Sequence, residues 1–170
     1  MRGIRGAGPL RVVLFMALGA GAALAVAAPP PAWRGTVTHV TDGDTLWVRP
    51  RSGGAPQAVR LTGIDAPELC QRHGEAARAA LVGRVLGQQV QVRGDQRDDY
   101  GRKLARVSLG QEDVGAWLVR QGHAWSYRYR GQSGPYARQE ALARAQGRGL
   151  FGAGKAERPR DFRRRHGPCH

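Results

Sequence analysis

The chain has 170 residues, enough for one domain with tails and a substantial core, and too few for several domains. Lys and Arg number 27 against 13 Asp and Glu, and the formal charge of +14 predicts attraction to polyanions, most simply nucleic acid. Only Lys103 and Lys155 are lysines, so codon bias toward arginine is the competing explanation of the imbalance.

Arg2, Arg5 and Arg11 flank the uncharged run VVLFMALGAGAALAVAA, and small residues precede a proline-rich stop in AVAAPPP. That order reads as an export signal over residues 1–27, cleaved near Ala27 or Ala28. An uncleaved membrane anchor is the alternative, since Val12 to Ala28 supplies 17 residues, at the short limit for a span. Removing residues 1–27 takes three arginines and no acid from +14 and leaves +11, so the basic character does not depend on the signal. The protein is therefore expected to be secreted or periplasmic, or else anchored with its domain outside the cytoplasm.

After a proline-rich linker at residues 28–32, the pattern is of short strands bounded by turn residues. RGTVTHV and TLWVR flank TDGD, where Asp-Gly favours a tight turn. RSGGAPQ is a loop and AVRLTGI a third strand. From Gly74 to Leu86, Ala77, Leu81, Val82 and Val85 recur at helical spacing. QVQVR alternates as a fourth strand and KLARVSL is a fifth. EDVGAWLVRQG reads as a second helix closed by Gly122. GPYARQEALARAQGRGL reads as a third, with Pro135 near its start and Gly147 or Gly149 past its end. The basic tail over 153–170 is rich in charge, Gly and Pro and is expected to be mobile at its end. With no repeat and no domain break, five strands and three helices predict an α+β fold, a small closed barrel of the oligonucleotide-binding (OB) type over residues 33–152.

Four segments carry candidate chemistry: TDGDTL, RLTGIDAPEL, DDYGRKLARV and LVRQGHAWSYRY. Alone, each has a bland reading. The DGD of Asp42–Asp44 is an ordinary turn, and it is no EF-hand because the later ligands and the bidentate Glu are missing. IDAPE alone is a polar turn, and YGR a loop in which an arginine covers an aromatic ring. In this order and at these spacings, however, the four segments closely resemble the thermonuclease, or staphylococcal-nuclease-like, family over residues 33 to about 151.

The resemblance implies an OB barrel with three helices and calcium-dependent hydrolysis of phosphodiester bonds in DNA and RNA, leaving 3′-phosphate ends. By position it implies Asp44, Asp65 and the backbone carbonyl of Ala66 as Ca²⁺ ligands. Ala66 stands where the family often has Thr, which leaves a carbonyl ligand intact. It implies Arg60, Glu68 and Arg102 as the catalytic trio, and Tyr100, Tyr127 and Tyr129 as substrate contacts. Asp99 replaces a lysine of the best-known member, which puts one phosphate contact in doubt, and the spacing before Tyr127 and Tyr129 is one residue shorter.

These residue types suit the chemistry. A phosphodiester repels an anionic nucleophile and has a poor leaving group, so a hard cation on hard oxygens and two planar guanidinium forks would offset the charge. Glu68 is the candidate general base, or orients the attacking water. The reading from another class is a noncatalytic nucleic-acid-binding module on the same fold, distinguished by whether Asp44, Arg60, Asp65, Glu68 and Arg102 stand together; all five do. Trp47, Trp117 and Trp125 are expected at the core or its edge. His39, His73 and His123 lack a metal-type pattern. Cys70 and Cys169 are the only cysteines: one disulfide, two free thiols and a weak metal-binding tail in HGPCH are the readings left open. The absence of heptads and of an apolar stripe predicts a monomer.

Overall fold

The computed structural model describes residue 3, residues 31–152, 154, 156–167 and 169. The expected export signal and most of the linker lie outside the described residues, and no described helix is long and apolar enough to cross a membrane. The strands are β1 (Ala32–Val40), β2 (Thr45–Pro50), β3 (Gln57–Leu61), β4 (Ile64–Asp65), β5 (Gln89–Arg93), β6 (Lys103–Leu109), β7 (Glu112–Asp113) and β8 (Trp125–Ser126). The helices are α1 (Gly74–Val85), α2 (Val114–Arg120), α3 (Ala137–Ala145) and α4 (Pro159–His166).

Period-two burial builds the barrel. In β2, Leu46 and Val48 point inward while Trp47 and Arg49 point out; in β5, Val90 and Val92 do the same. The strands run β3-β2-β1-β5-β6, and a parallel β3–β6 pairing closes the ring. Every other barrel pairing is antiparallel. Five strands thus bury one apolar interior, plugged by Leu81 and Val85 of α1 and Leu118 and Val119 of α2. Burying a side chain such as Leu46 stabilises by about 1.5–3 kcal/mol. The α+β OB barrel anticipated from the sequence is therefore present.

Three features differ from the sequence reading. A small second sheet, β4 against β8, pairs Ile64 with Ser126 and Asp65 with Trp125. Two-residue strands carry no periodicity to detect. A buried carboxylate holds this sheet: Glu140 of α3 accepts from the Ser126 N–H at 2.9 Å and pairs with Arg144 at 2.7 Å. The third difference lies in the tail: residues 159–166, read from the sequence only as a stretch rich in charge, Gly and Pro, form a helix. Pro159 at the first turn suits a helix start. No apolar stripe announces α4, because polar contacts and the Cys70–Cys169 disulfide fix it. Among the tryptophans, Trp125 is buried and Trp117 packs on the core edge, whereas Trp47 is 39% exposed and donates to the Thr41 hydroxyl at 3.2 Å.

The close crossing of β1 and β2 depends on Gly35, where an added Cβ would lie 2.3 Å from the Arg49 carbonyl oxygen and 2.7 Å from Val48 Cγ1. Backbone cannot yield as a flexible side chain does. Gly35→Ala should destabilise by about 2 kcal/mol or more. Thermal unfolding checks this, and an unchanged midpoint would mean that β1 and β2 do not pair in this register.

Candidate active site

Strand register assembles the site at one mouth of the barrel. Thr45 pairs with Arg60 across β2 and β3, and Arg60 pairs with Leu104 across β3 and β6. Asp44 therefore precedes β2, and Arg102 precedes β6, on either side of Arg60. β4 then turns back to present Asp65, Ala66 and, past Pro67, Glu68. These residues line one cleft of about 910 Å³ with Asp42, Asp98, Tyr100, Tyr127 and Arg163.

The DGD turn is built for close approach. The Asp42 side chain caps it by accepting from the Asp44 N–H at 2.9 Å. A Cβ at Gly43 would come within 2.8 Å of Ala66 Cβ and 2.9 Å of Ala77 Cβ, so the missing side chain lets the turn sit against the β4 end. Asp44 is buried and is held by three donors: Arg60 Nη2 at 2.9 Å, the Ala66 N–H at 3.3 Å and the Thr45 hydroxyl at 3.1 Å. Arg60 also lies 3.6 Å from Asp65.

Arg102 is fixed from behind. Asp98 accepts from its Nε at 2.8 Å and pairs with Nη2 at 2.7 Å, while Nη1 reaches the Thr45 hydroxyl at 3.1 Å. Each terminal nitrogen keeps an N–H for another acceptor. Burial alone would raise the Asp98 carboxyl, but the hydrogen bonds and charge of Arg102 hold it below the ordinary carboxylate value. Tyr100, 85% exposed, stacks under the Arg102 guanidinium at 5.3 Å. Glu68 sits in a turn closed by Gln71, which accepts from the Glu68 N–H at 3.2 Å. The turn is packed so tightly that a Cβ at Gly74 would lie 1.9 Å from the Glu68 carbonyl oxygen.

All three residues of the expected trio and all three expected ligand residues thus face one cleft, with Tyr100 and Tyr127 on its rim. Tyr127 is placed by its N–H, which donates to Gly63 at 2.9 Å. Tyr129 is not on the cleft wall; it is exposed and stacks with Arg130 at 5.1 Å. Cys70 and Cys169 form the disulfide left open by the sequence. Three cleft residues escaped the sequence reading: Asp42, seen only as part of a turn; Asp98, whose spacing four residues before Arg102 was the available signal; and Arg163, for which no local signal exists.

The electrostatics are those of crowded carboxylates. Burial, then the neighbouring Asp44 charge, pushes Asp42 up to about 6. Burial is also the main cause that pushes Asp65 up to about 6; Arg163 and Arg60 oppose it, while Asp44 and Glu68 add to it. Among the described residues, no group of three or more His, Cys, Asp or Glu is arranged to hold a metal. The buried acids lining the cleft are Asp44 and Asp65, with Ala66 beside them. His73 and His123, stacked with ring centroids 5.3 Å apart, lie outside the cleft.

A carboxyl raised above its unfolded value of 3.8 binds a proton more tightly when folded, so its charge costs stability as pH rises toward and past about 6. Asp65→Asn should therefore stabilise the metal-free protein at pH 7 by about 1–3 kcal/mol and change little at pH 4. Denaturant titration at both pH values checks this; a loss of stability at pH 7 would mean that the Arg60 and Arg163 contacts outweigh burial.

The family model "Staphylococcal nuclease homologue" matches residues 58–152. Protein ParB of Escherichia coli is 39% identical over 165 residues, covering 88% of this chain and 92% of that protein. A micrococcal nuclease of Shigella flexneri is 36% identical over 157 residues, covering 84% and 89%. An uncharacterized endonuclease of Haemophilus influenzae is 32% identical over 128 residues, covering 75% and 71%. The matched family segment holds Arg60, Asp65, Glu68 and Arg102, and the chain belongs to the staphylococcal nuclease family, as a nuclease-type phosphodiester hydrolase acting on nucleic acid.

Proposed function

We propose that the protein is a calcium-dependent endonuclease of low sequence specificity that hydrolyses DNA and RNA to 3′-phosphate and 5′-hydroxyl ends. The observation that carries this reading is the convergence of Asp44, Asp65, Glu68, Arg60 and Arg102 on one cleft. Asp44, Asp65 and the Ala66 carbonyl would hold the ion. Their chemistry fits it: hard oxygens suit a hard dication, and Asp65, raised to about 6 by burial beside Asp44, gains a charge partner when the ion binds. When bound, the ion supplies Lewis-acid polarisation of the phosphate and offsets its charge.

The chain's own residues do the rest. Glu68 accepts a proton from the attacking water as the new P–O bond forms. Arg60 and Arg102 donate to the non-bridging oxygens, where negative charge grows in the transition state. The P–O5′ bond breaks, the 5′ oxygen takes a proton from solvent water at the open cleft, and the phosphate stays on the 3′ side. Asp98 and Thr45 keep the Arg102 fork oriented before substrate arrives, so little reorganisation is needed. Tyr100 and Tyr127 offer exposed rings and hydroxyls to the nucleotide, and Tyr129 would join them further along the strand. The net positive charge, +14 for the whole chain and +11 without residues 1–27, attracts the polyanion to the protein. Action as a monomer outside the cytoplasm is part of the proposal, supported by a site complete within one chain, the Arg-flanked apolar leader and the Cys70–Cys169 bond.

Nicking of supercoiled plasmid in calcium against chelator, followed by end-group analysis, tests the reading. Glu68→Gln should retain DNA binding and lose about 10²–10⁴-fold in rate. Arg102→Lys, which keeps charge but loses the fork, should lose about 10²-fold. DNA binding without calcium-dependent cleavage would favour a noncatalytic module. Because a raised Asp65 must shed its proton to bind the ion, calcium affinity measured by calorimetry should fall as pH drops below about 6. A flat pH profile would remove Asp65 from the ligand set.

A further inference from the structure

One guanidinium in the cleft comes from beyond the family match. Arg163 of α4 places Nη1 2.5 Å from Glu68 Oε1 and Nη2 3.6 Å from Asp65 Oδ1. Its neighbours do not share this role: Arg164 pairs with Asp161 at 3.0 Å and Arg165 with Glu157. The helix is moored close to the site. Cys169 is bonded to Cys70, two residues past Glu68, and Gln71, which caps the Glu68 N–H, also donates to the Glu157 carbonyl at 2.7 Å. Arg158, just before α4, pairs with buried Glu140 at 3.5 Å. The turn that carries Glu68 and the tether that carries Arg163 are therefore one unit.

We propose that Arg163 is a positioning residue for Glu68, delivered to the cleft by the disulfide-tethered C-terminal helix. This deepens the nuclease reading and rests on Glu68 acting on the attacking water. A glutamate has three soft side-chain torsions, and at the rim of an open cleft it samples unproductive rotamers. A charge-assisted hydrogen bond to Oε1 removes that freedom and leaves Oε2 for water. Arg163 lines the cleft with its side chain 40% exposed, and its partners there are Glu68 and Asp65 rather than Arg60 or Arg102. The Arg163–Glu68 contact spans 95 residues of sequence, and an isolated surface pair of this kind holds poorly without a covalent tether.

The test uses full-length oxidised protein under calcium, with kcat and KM measured separately on a defined oligonucleotide. Arg163→Ala should lower kcat about tenfold or more with KM within about twofold, and Arg163→Lys should recover part of the loss. The double variant Cys70→Ser/Cys169→Ser should show a similar loss, and adding Arg163→Ala to it should cost little more. Arg164→Ala should match wild type. Melting curves and circular dichroism confirm that each variant is folded.

Independently of turnover, ¹⁵N NMR of the metal-free protein should show slowly exchanging Arg163 guanidinium protons that are lost in Glu68→Gln and in the cysteine double variant. An unchanged kcat in folded Arg163→Ala, a raised kcat (a brake), or a rise in KM alone (a phosphate contact) each overturns this inference while leaving the nuclease reading intact. A wild-type enzyme silent under calcium overturns the nuclease reading first, and this inference with it.

Discussion

The site depends on keeping two carboxyl groups together at a barrel mouth where water is scarce. Asp44 is 6% exposed and Asp65 is 8% exposed, yet both stand within reach of one guanidinium, Arg60. Removing a carboxylate from water is costly unless hydrogen bonds and opposite charge replace the lost solvation. Asp44 obtains all of this locally, from Arg60, Thr45 and the Ala66 amide. Asp65 obtains less, which is why burial prevails and its carboxyl is raised. The imbalance is itself informative, since carboxyls shifted by burial and by a specific charge partner in a cleft cluster at functional sites.

From that constraint the surrounding architecture follows. Arg60 must lie between two acids, so it occupies the end of the strand that pairs with both β2 and β6. Arg102 must aim into the same space without collapsing onto Asp44 or Asp65, and Asp98 gives it a different carboxylate to lean on. Glu68 must remain free of Arg60 and Arg102, and the tight Gln71–Gly74 turn holds its backbone apart from them. Six acids and three arginines thus line one cleft without neutralising each other indiscriminately, because separate backbone elements set them apart.

Much of this was legible in the sequence because it is local. Alternation in QVQVR and the spacing of Ala77, Leu81 and Val85 report burial over a few residues, and the cleft residues of RLTGIDAPEL lie within nine positions of one another. What stayed hidden is stabilised at a distance or without apolar surface. β4 and β8 are two residues each and exist only through pairing across some sixty positions. α4 reads PRDFRRRH, whose charge suggests solvation, and its order comes from a disulfide and ion pairs that no periodicity encodes. Adjacency in YRY says little about geometry: Tyr127 lines the cleft, while Tyr129 is exposed beside it and stacks with Arg130.

The parallel contact between β3 and β6 has a functional corollary. The ring has two seams between segments far apart in sequence: β1 meets β5, and Val59, Arg60 and Leu61 meet Lys103, Leu104 and Ala105. The β3–β6 seam is also what brings Arg60 and Arg102 to one cleft. A chain in which that seam is open lacks the assembled site, so turnover reports the shut ring rather than the mere presence of strands.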